Sequence, residues 1–305
     1  MTTSDVRLSA LPPSAGRAGL GGALASEFTK LRSVRSTYWT LGALFIVSVG
    51  LALAITAGTA ANFANNPGNK AGFDATQASL GAFFEIGQLI IAVLGAMVIT
   101  SEYSTGMIRT SLTAQPRRGV VYAAKAIVFT AVTLVISLIT SFIAFFVGQA
   151  MYSSKGVAAS LFHTVTIPAN ANVNCSPNGC TATFSGTDVI NPSTVLTAII
   201  GTALFVTIVA LIAYGVGAIV RHTAGTIAIV IALLFIIPVL EHTLPDSWRW
   251  DLMRFLPDAA NQVVSVTIGT SNPHLWSAWP QLGVTALWAA VLVGVGAYLF
   301  RKRDA

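Results

Sequence analysis

The residues most open to a chemical reading form a short charged island between two long apolar runs. It reads Ser101-Glu102-Tyr103-Ser104-Thr105-Gly106-Met107-Ile108-Arg109-Thr110-Ser111-Leu112-Thr113-Ala114-Gln115-Pro116-Arg117-Arg118. Such an island cannot sit in lipid, and its order suits a small docking helix better than a bare connector. Ser104 and Thr105 stand ahead of Gly106 as a capping pattern, Ile108 and Leu112 lie one turn apart, and Pro116 ends the helix. Elsewhere reactive groups are few. Glu85 is the one ionisable residue inside an apolar run, and a carboxylate at membrane depth is a candidate proton or cation site. It stands about one turn inside the outer end of its run, where a carboxylate reaching interfacial water is the plainer explanation.

Other catalytic chemistries lack their residues. His163, His242 and His274 fall in outer segments, His222 occupies a tight inner turn, and no apolar run holds an Asp. This removes zinc-dependent His-Glu-x-x-His hydrolysis and paired-aspartate hydrolysis within the membrane. No Gly-x-x-x-x-Gly-Lys-Ser/Thr sequence is present, and the glycine-rich stretch at 16–22 has neither the preceding strand nor the lysine of a phosphate loop. The chain is expected to be no enzyme and to bind no cofactor or metal itself. Cys175 and Cys180 enclose Ser176-Pro177-Asn178-Gly179, which is turn chemistry, between the strand-like Thr164-Val165-Thr166-Ile167 and Thr181-Ala182-Thr183-Phe184. A local disulfide closing a hairpin is the expectation, since zinc needs more ligands than this pair offers.

The elements that must position these groups belong to a membrane. Charged residues are 9% of the 305, where soluble domains carry about a quarter, and the mean hydropathy is +0.73. Six runs at 38–59, 80–100, 126–148, 195–220, 223–240 and 282–300 are each long enough to span a bilayer as a helix. They are continuous rather than alternating, so the expected fold is an all-α polytopic bundle and not a barrel. The expected organisation is a disordered N-terminus (1–22), a six-span domain (23–300) and a short tail (301–305). An even number of spans puts both ends on one side, with Arg7, Arg17, Lys30, Arg32, Arg35, Arg109, Arg117, Arg118, Lys125, Arg221, Arg301, Lys302 and Arg303. Only Lys70, Lys155, Arg249 and Arg254 of the 17 Lys and Arg remain for the other side. The bias makes the first side cytoplasmic, and the net charge of +6 reflects topology and anionic lipid rather than nucleic acid.

Before the first span, Leu20, Leu24, Phe28, Leu31, Val34 and Tyr38 recur at helical spacing, with Ser26, Glu27, Lys30, Arg32 and Ser33 largely off that stripe. This predicts an amphipathic helix in the inner interface, Arg32 and Arg35 near lipid phosphates and Trp39 at headgroup level. Before the last span, Trp248, Trp250, Leu252, Met253, Phe255 and Leu256 alternate with Asp246, Arg249, Asp251 and Arg254. That pattern suits a helix half sunk in the outer interface or a lid on the outer surface.

Three parts of this order carry a resemblance: Glu27-Phe28-Thr29-Lys30-Leu31-Arg32-Ser33 before six spans, the residues Glu102, Gly106, Ile108, Arg109, Thr110 and Leu112 after span two, and Pro116, Arg117, Arg118 and Lys125 behind them. The chain resembles an ABC-2 type permease subunit of a bacterial ABC transporter, and the actinobacterial branch most closely. The likeness implies that 23–37 is the interface or elbow helix, with Glu27, Phe28, Lys30, Leu31 and Arg32. It implies that 105–112 is a coupling helix seated in a separate ATP-binding subunit, with Thr105, Gly106, Met107, Ile108, Arg109 and Leu112, its angle fixed by Glu102. Met107 stands where Thr is commoner in the family pattern. Arg221 and His222 would be a second cytoplasmic contact. ATP and Mg would be held by the partner, and two six-span subunits, identical or related, would enclose the path of an exporter. Two other readings stay open: a proton-coupled secondary transporter using Glu85, and a noncatalytic receptor or immunity protein binding through its outer loops.

Overall fold

The computed structural model describes residues 19–33, 35–65, 75–108, 113, 117–156, 172–176, 179–183, 195–241, 243–257 and 278–302. Helix α1 (Leu20–Ser33) leads into α2 (Arg35–Asn65), followed by α3 (Ala75–Ser104) and the long α4 (Arg118–Ser153). A two-stranded hairpin of β1 (Asn172–Ser176) and β2 (Gly179–Thr183) precedes α5 (Val195–Val220). Then come α6 (Thr223–Ile231), a π-helical turn over Ala232–Ile236, α7 (Ile237–Glu241), α8 (Asp246–Phe255) and α9 (Ala278–Lys302). Six of these segments are long and apolar enough to cross a bilayer: Thr37–Phe63, Ala75–Ser104, Arg118–Ser153, Val195–Val220, Thr223–Leu240 and Ala278–Lys302. The protein is a multi-pass helical membrane protein.

Two helices make the centre. The spanning windows of α5 and α3 are 67% and 61% buried, and in every other span a third or less is. What lets them approach is small residues at the crossing, because apolar helices in lipid gain nothing from hiding apolar area and must pack closely instead. A methyl group on Gly95 of α3 would lie 2.5 Å from the Ala210 carbonyl oxygen of α5 and 2.9 Å from Ala213 Cβ. Gly215 and Gly217 face opposite ways, the first against Leu292 of α9 and the second against Ile99 of α3. Stacked Phe84 and Phe205 fill the same seam, with ring centroids 4.6 Å apart.

Several boundaries differ from the sequence expectation. The first helix starts at Leu20, where the apolar stripe begins, and the first two spans are longer than their apolar cores. Because α3 begins at Ala75, five residues before the apolar run, Glu85 stands ten residues past the start of the helix. The fifth span is not one regular helix: the π-helical turn ends two residues before Pro238, whose ring cannot follow a normal α turn and whose missing N–H breaks the ladder. Near the outer end of the last span, α8 is tied down by Trp288 Nε1, which donates to the Phe255 carbonyl at 2.7 Å, and by Gln281 Nε2, which donates to the Met253 and Leu256 carbonyls at 3.3 Å. The hairpin register sets Cys175 opposite Cys180.

Candidate functional site

The densest polar cluster among the described residues lies where α1, α3 and α4 meet at the basic end of the bundle. Lys125 is on α4, seven residues past its first residue Arg118, and is only 6% exposed. Its Nζ donates to Glu27 Oε2 at 2.5 Å and to Glu102 Oε1 at 2.8 Å. Glu27 comes from α1 and Glu102 from the last turn of α3, and both are buried. Lys30 closes the cluster from the rim, donating to Glu27 Oε1 at 2.8 Å and to Glu102 Oε1 at 3.3 Å. Two carboxylates and two ammonium groups leave no net charge, which is the condition for burying charges where water is scarce. Burial lowers the pKa of Lys30, yet its hydrogen bond to Glu27 and the nearby charge of Glu102 outweigh that, and the net shift is upward.

This cluster decides how α1 lies. Its packing face is Ala23 and Glu27, while Leu20 and Phe28 of the apolar stripe are exposed on the outside of the bundle. The charged side of the amphipathic helix therefore turns toward protein and the apolar side outward, the reverse of a helix on a soluble domain. Phe28 and Leu31 cover a groove, and Arg32 is exposed at its edge.

The island beyond Glu102 is held in the same way. The hydroxyls of Ser104 and Thr105 donate back to the Ser101 carbonyl, at 3.1 and 2.7 Å, and so help to finish α3. Gly106 then takes a left-handed backbone, φ +71°, which ends the helix at no steric cost to a residue without Cβ. Helical backbone resumes at Met107 and Ile108. Ile108 is buried against the bundle core, while Thr105, Gly106 and Met107 remain exposed. Arg109 and Leu112 lie outside the described residues.

The inner turn between α5 and α6 grips the other side of α3. Thr100 and Thr223 share a hydroxyl hydrogen bond of 2.7 Å, and the Arg221 guanidinium sits 4.8 Å from the centre of the Tyr103 ring. Arg221 has a positive φ of 60°, and His222 Nδ1 accepts from the Gly225 N–H at 3.3 Å as the N-cap of α6. Behind Tyr103, the rings of Phe300, Tyr122, Tyr214 and Phe129 form a continuous aromatic chain into the bundle.

Of the residues singled out by sequence, Glu27, Lys30 and Glu102 come together, with Ile108, Arg221 and His222 nearby in the chain elements that hold them. Phe28, Leu31 and Arg32 lie on the outer side of α1, Glu85 is on an exposed part of α3, and Cys175 and Cys180 lie in the hairpin. Sequence reading missed Lys125 as the hub and Thr100, Tyr103 and Thr223 as the links. A signal was present: between residues 6 and 303, Glu27 and Glu102 are the only acidic residues in the inner segments, which are otherwise crowded with cations. No cluster of His, Cys, Asp and Glu able to hold a metal occurs among the described residues.

Six apolar spans, a laterally attached first helix and a short exposed segment after the second span make up this multi-pass membrane protein. Residues 23–173, from α1 into β1, match the family model described as ABC-2 family transporter protein. The match is consistent with an ABC-2 type permease. A search of curated proteins gives no match.

Proposed function

We propose that this chain is the membrane permease subunit of an ATP-driven ABC exporter and that it forms the translocation path with a second six-span subunit, identical or related. The segment 105–112 receives the motion of a separate ATPase subunit, which holds the ATP and Mg. The observation that carries this reading is the buried Glu27–Lys30–Glu102–Lys125 cluster, which makes α1, α3 and α4 one mechanical unit directly above the exposed Thr105, Gly106 and Met107. A push on that segment is passed to α4 and α1 through ion pairs. It reaches α6 through Thr100–Thr223 and Arg221–Tyr103. ATP binding shifts the bundle between states to the extent that these contacts favour one of them, and hydrolysis resets it. The basic end is then cytoplasmic in a bacterial plasma membrane, and an amphiphilic or apolar cargo suits spans with almost no charge.

The deciding experiment is purification in mild detergent from native membranes, with identification of copurifying proteins, beside a variant in which 106–109 are scrambled. A near-stoichiometric ATPase lost from the folded scrambled variant supports the reading. No such partner, even with an ATP analogue present, overturns it and moves attention to Glu85 and proton coupling. The opposed register of Cys175 and Cys180 supports a disulfide across the hairpin. Thiol labelling of the unfolded protein should then require prior reduction.

A further inference from the structure

A groove of about 530 Å³ opens on the outside of the bundle between α1, α2 and α4. Its floor is apolar, with Leu41 and Phe45 on α2 and Val132 and Ile136 on α4, and Phe28 and Leu31 of α1 form its roof. Arg32 stands at the rim, is exposed, and makes no ion pair among the described residues. The volume is in the range of small-molecule sites, roughly 300–1,000 Å³.

Two features say what fills it. Along α2 the groove runs from Thr37 to Phe45 and along α4 from Val132 to Thr140. At 1.5 Å per residue each stretch is about 12 Å long, close to the roughly 15 Å of one leaflet's hydrocarbon. The only charge on the lining is cationic and lies at the end where α1 meets the first span, among the residues of the membrane interface. The groove also cannot close by α1 swinging inward or away, because the Glu27–Lys125 pair fixes that helix from its other face.

We propose that this groove is a built site for one anionic phospholipid of the leaflet on the basic side. One acyl chain lies between α2 and α4 under Phe28, and the phosphate sits against Arg32. The inference needs only that the helices span a membrane and does not depend on coupling to an ATPase. It makes the lipid a wedge between the first helix and the bundle, so that lipid composition reaches the same unit that the buried ion pairs hold together.

Gly42 supplies the test, because it lines the groove and a Cβ there meets nothing within 4 Å. Gly42→Leu therefore places an apolar side chain in the groove with no clash at its Cβ, and Gly50→Leu, also with nothing within 4 Å of its Cβ, is the matched control elsewhere on the same helix. The full chain is delipidated in detergent, phosphatidylglycerol or phosphatidylcholine is added, and retained lipid is counted by native mass spectrometry. The expected result is preferential retention of one phosphatidylglycerol, weakened about fivefold by Arg32→Gln and abolished by Gly42→Leu, with Gly50→Leu as wild type. Thermal melting of Gly42→Leu no lower than that of Gly50→Leu confirms that the fold is intact. Wild-type retention in Arg32→Gln and Gly42→Leu, or equal loss in Gly50→Leu, overturns the proposal. So does a wild-type protein that keeps no lipid but forms a dimer that Gly42→Leu breaks, which would assign the groove to a second copy of the chain.

Discussion

Replacing Lys125 with Met removes two ion pairs of the cluster, at 2.5 and 2.8 Å, and leaves Glu27 and Glu102 buried with only Lys30 between them. The cluster passes from neutral to a charge of −1. Taking one partner from a buried pair costs roughly 3–5 kcal/mol, and with Lys30 still neutralising one carboxylate the lower end, about 3 kcal/mol, applies. Lys30→Met also leaves a charge of −1, but the side chain it removes is 30% exposed, and the Lys125 contacts survive. Its cost is about 1 kcal/mol or less. The two lysines, equal in formal charge, thus differ chiefly in burial. Hydrogen exchange of the α1 amides in a detergent micelle reads the difference: the opening constant should rise about a hundredfold in Lys125→Met and less than tenfold in Lys30→Met. Adding Glu102→Gln to Lys125→Met restores neutrality with the Glu27–Lys30 pair intact, and should recover most of the loss. Equal effects of the two lysine variants, or a double variant as poor as the sum of its parts, would refute the view that buried charge balance holds α1 in place.

Three other outcomes follow from single contacts. The raised pKa of Lys30 means that its contribution is complete below its ordinary value of 10.5 and is lost as pH rises through the higher folded value. The melting difference between wild type and Lys30→Met should be flat from pH 7 to about 9.5 and vanish only above about 10.5. Gly95→Val, whose side chain would meet the Ala210 carbonyl oxygen, should lower stability by about 1–3 kcal/mol, whereas Gly58→Ala, facing open space, should raise it by up to about 1 kcal/mol in the same thermal assay. A double-mutant cycle of Thr100→Val with Thr223→Val should return a coupling of about 0.6 kcal/mol, the usual worth of a hydroxyl bond between spans, and a value of zero would remove that link between α3 and α6.

The six spans were legible in the sequence because the bilayer imposes a length and a composition on every crossing helix, and no tertiary partner is needed to satisfy that rule. The short helix-breaking island after span two was legible for the same reason, since charges and Pro116 cannot continue an apolar helix. A hydroxyl at a helix boundary can serve the helix before it as well as one after it, and that those of Ser104 and Thr105 donate back to the Ser101 carbonyl of α3 was not legible from their position ahead of Gly106.

By itself the sequence determined that this is a six-span helical membrane protein with a charged segment after its second span, because apolar length is a property of each segment alone. Only the tertiary structure decided that Glu27, Lys30, Glu102 and Lys125 form one neutral buried cluster. Residues 27 and 125 are far apart in the chain, and their pairing depends on which faces of α1, α3 and α4 meet. That choice follows from charge balance and close packing between helices, which no spacing within a single helix encodes.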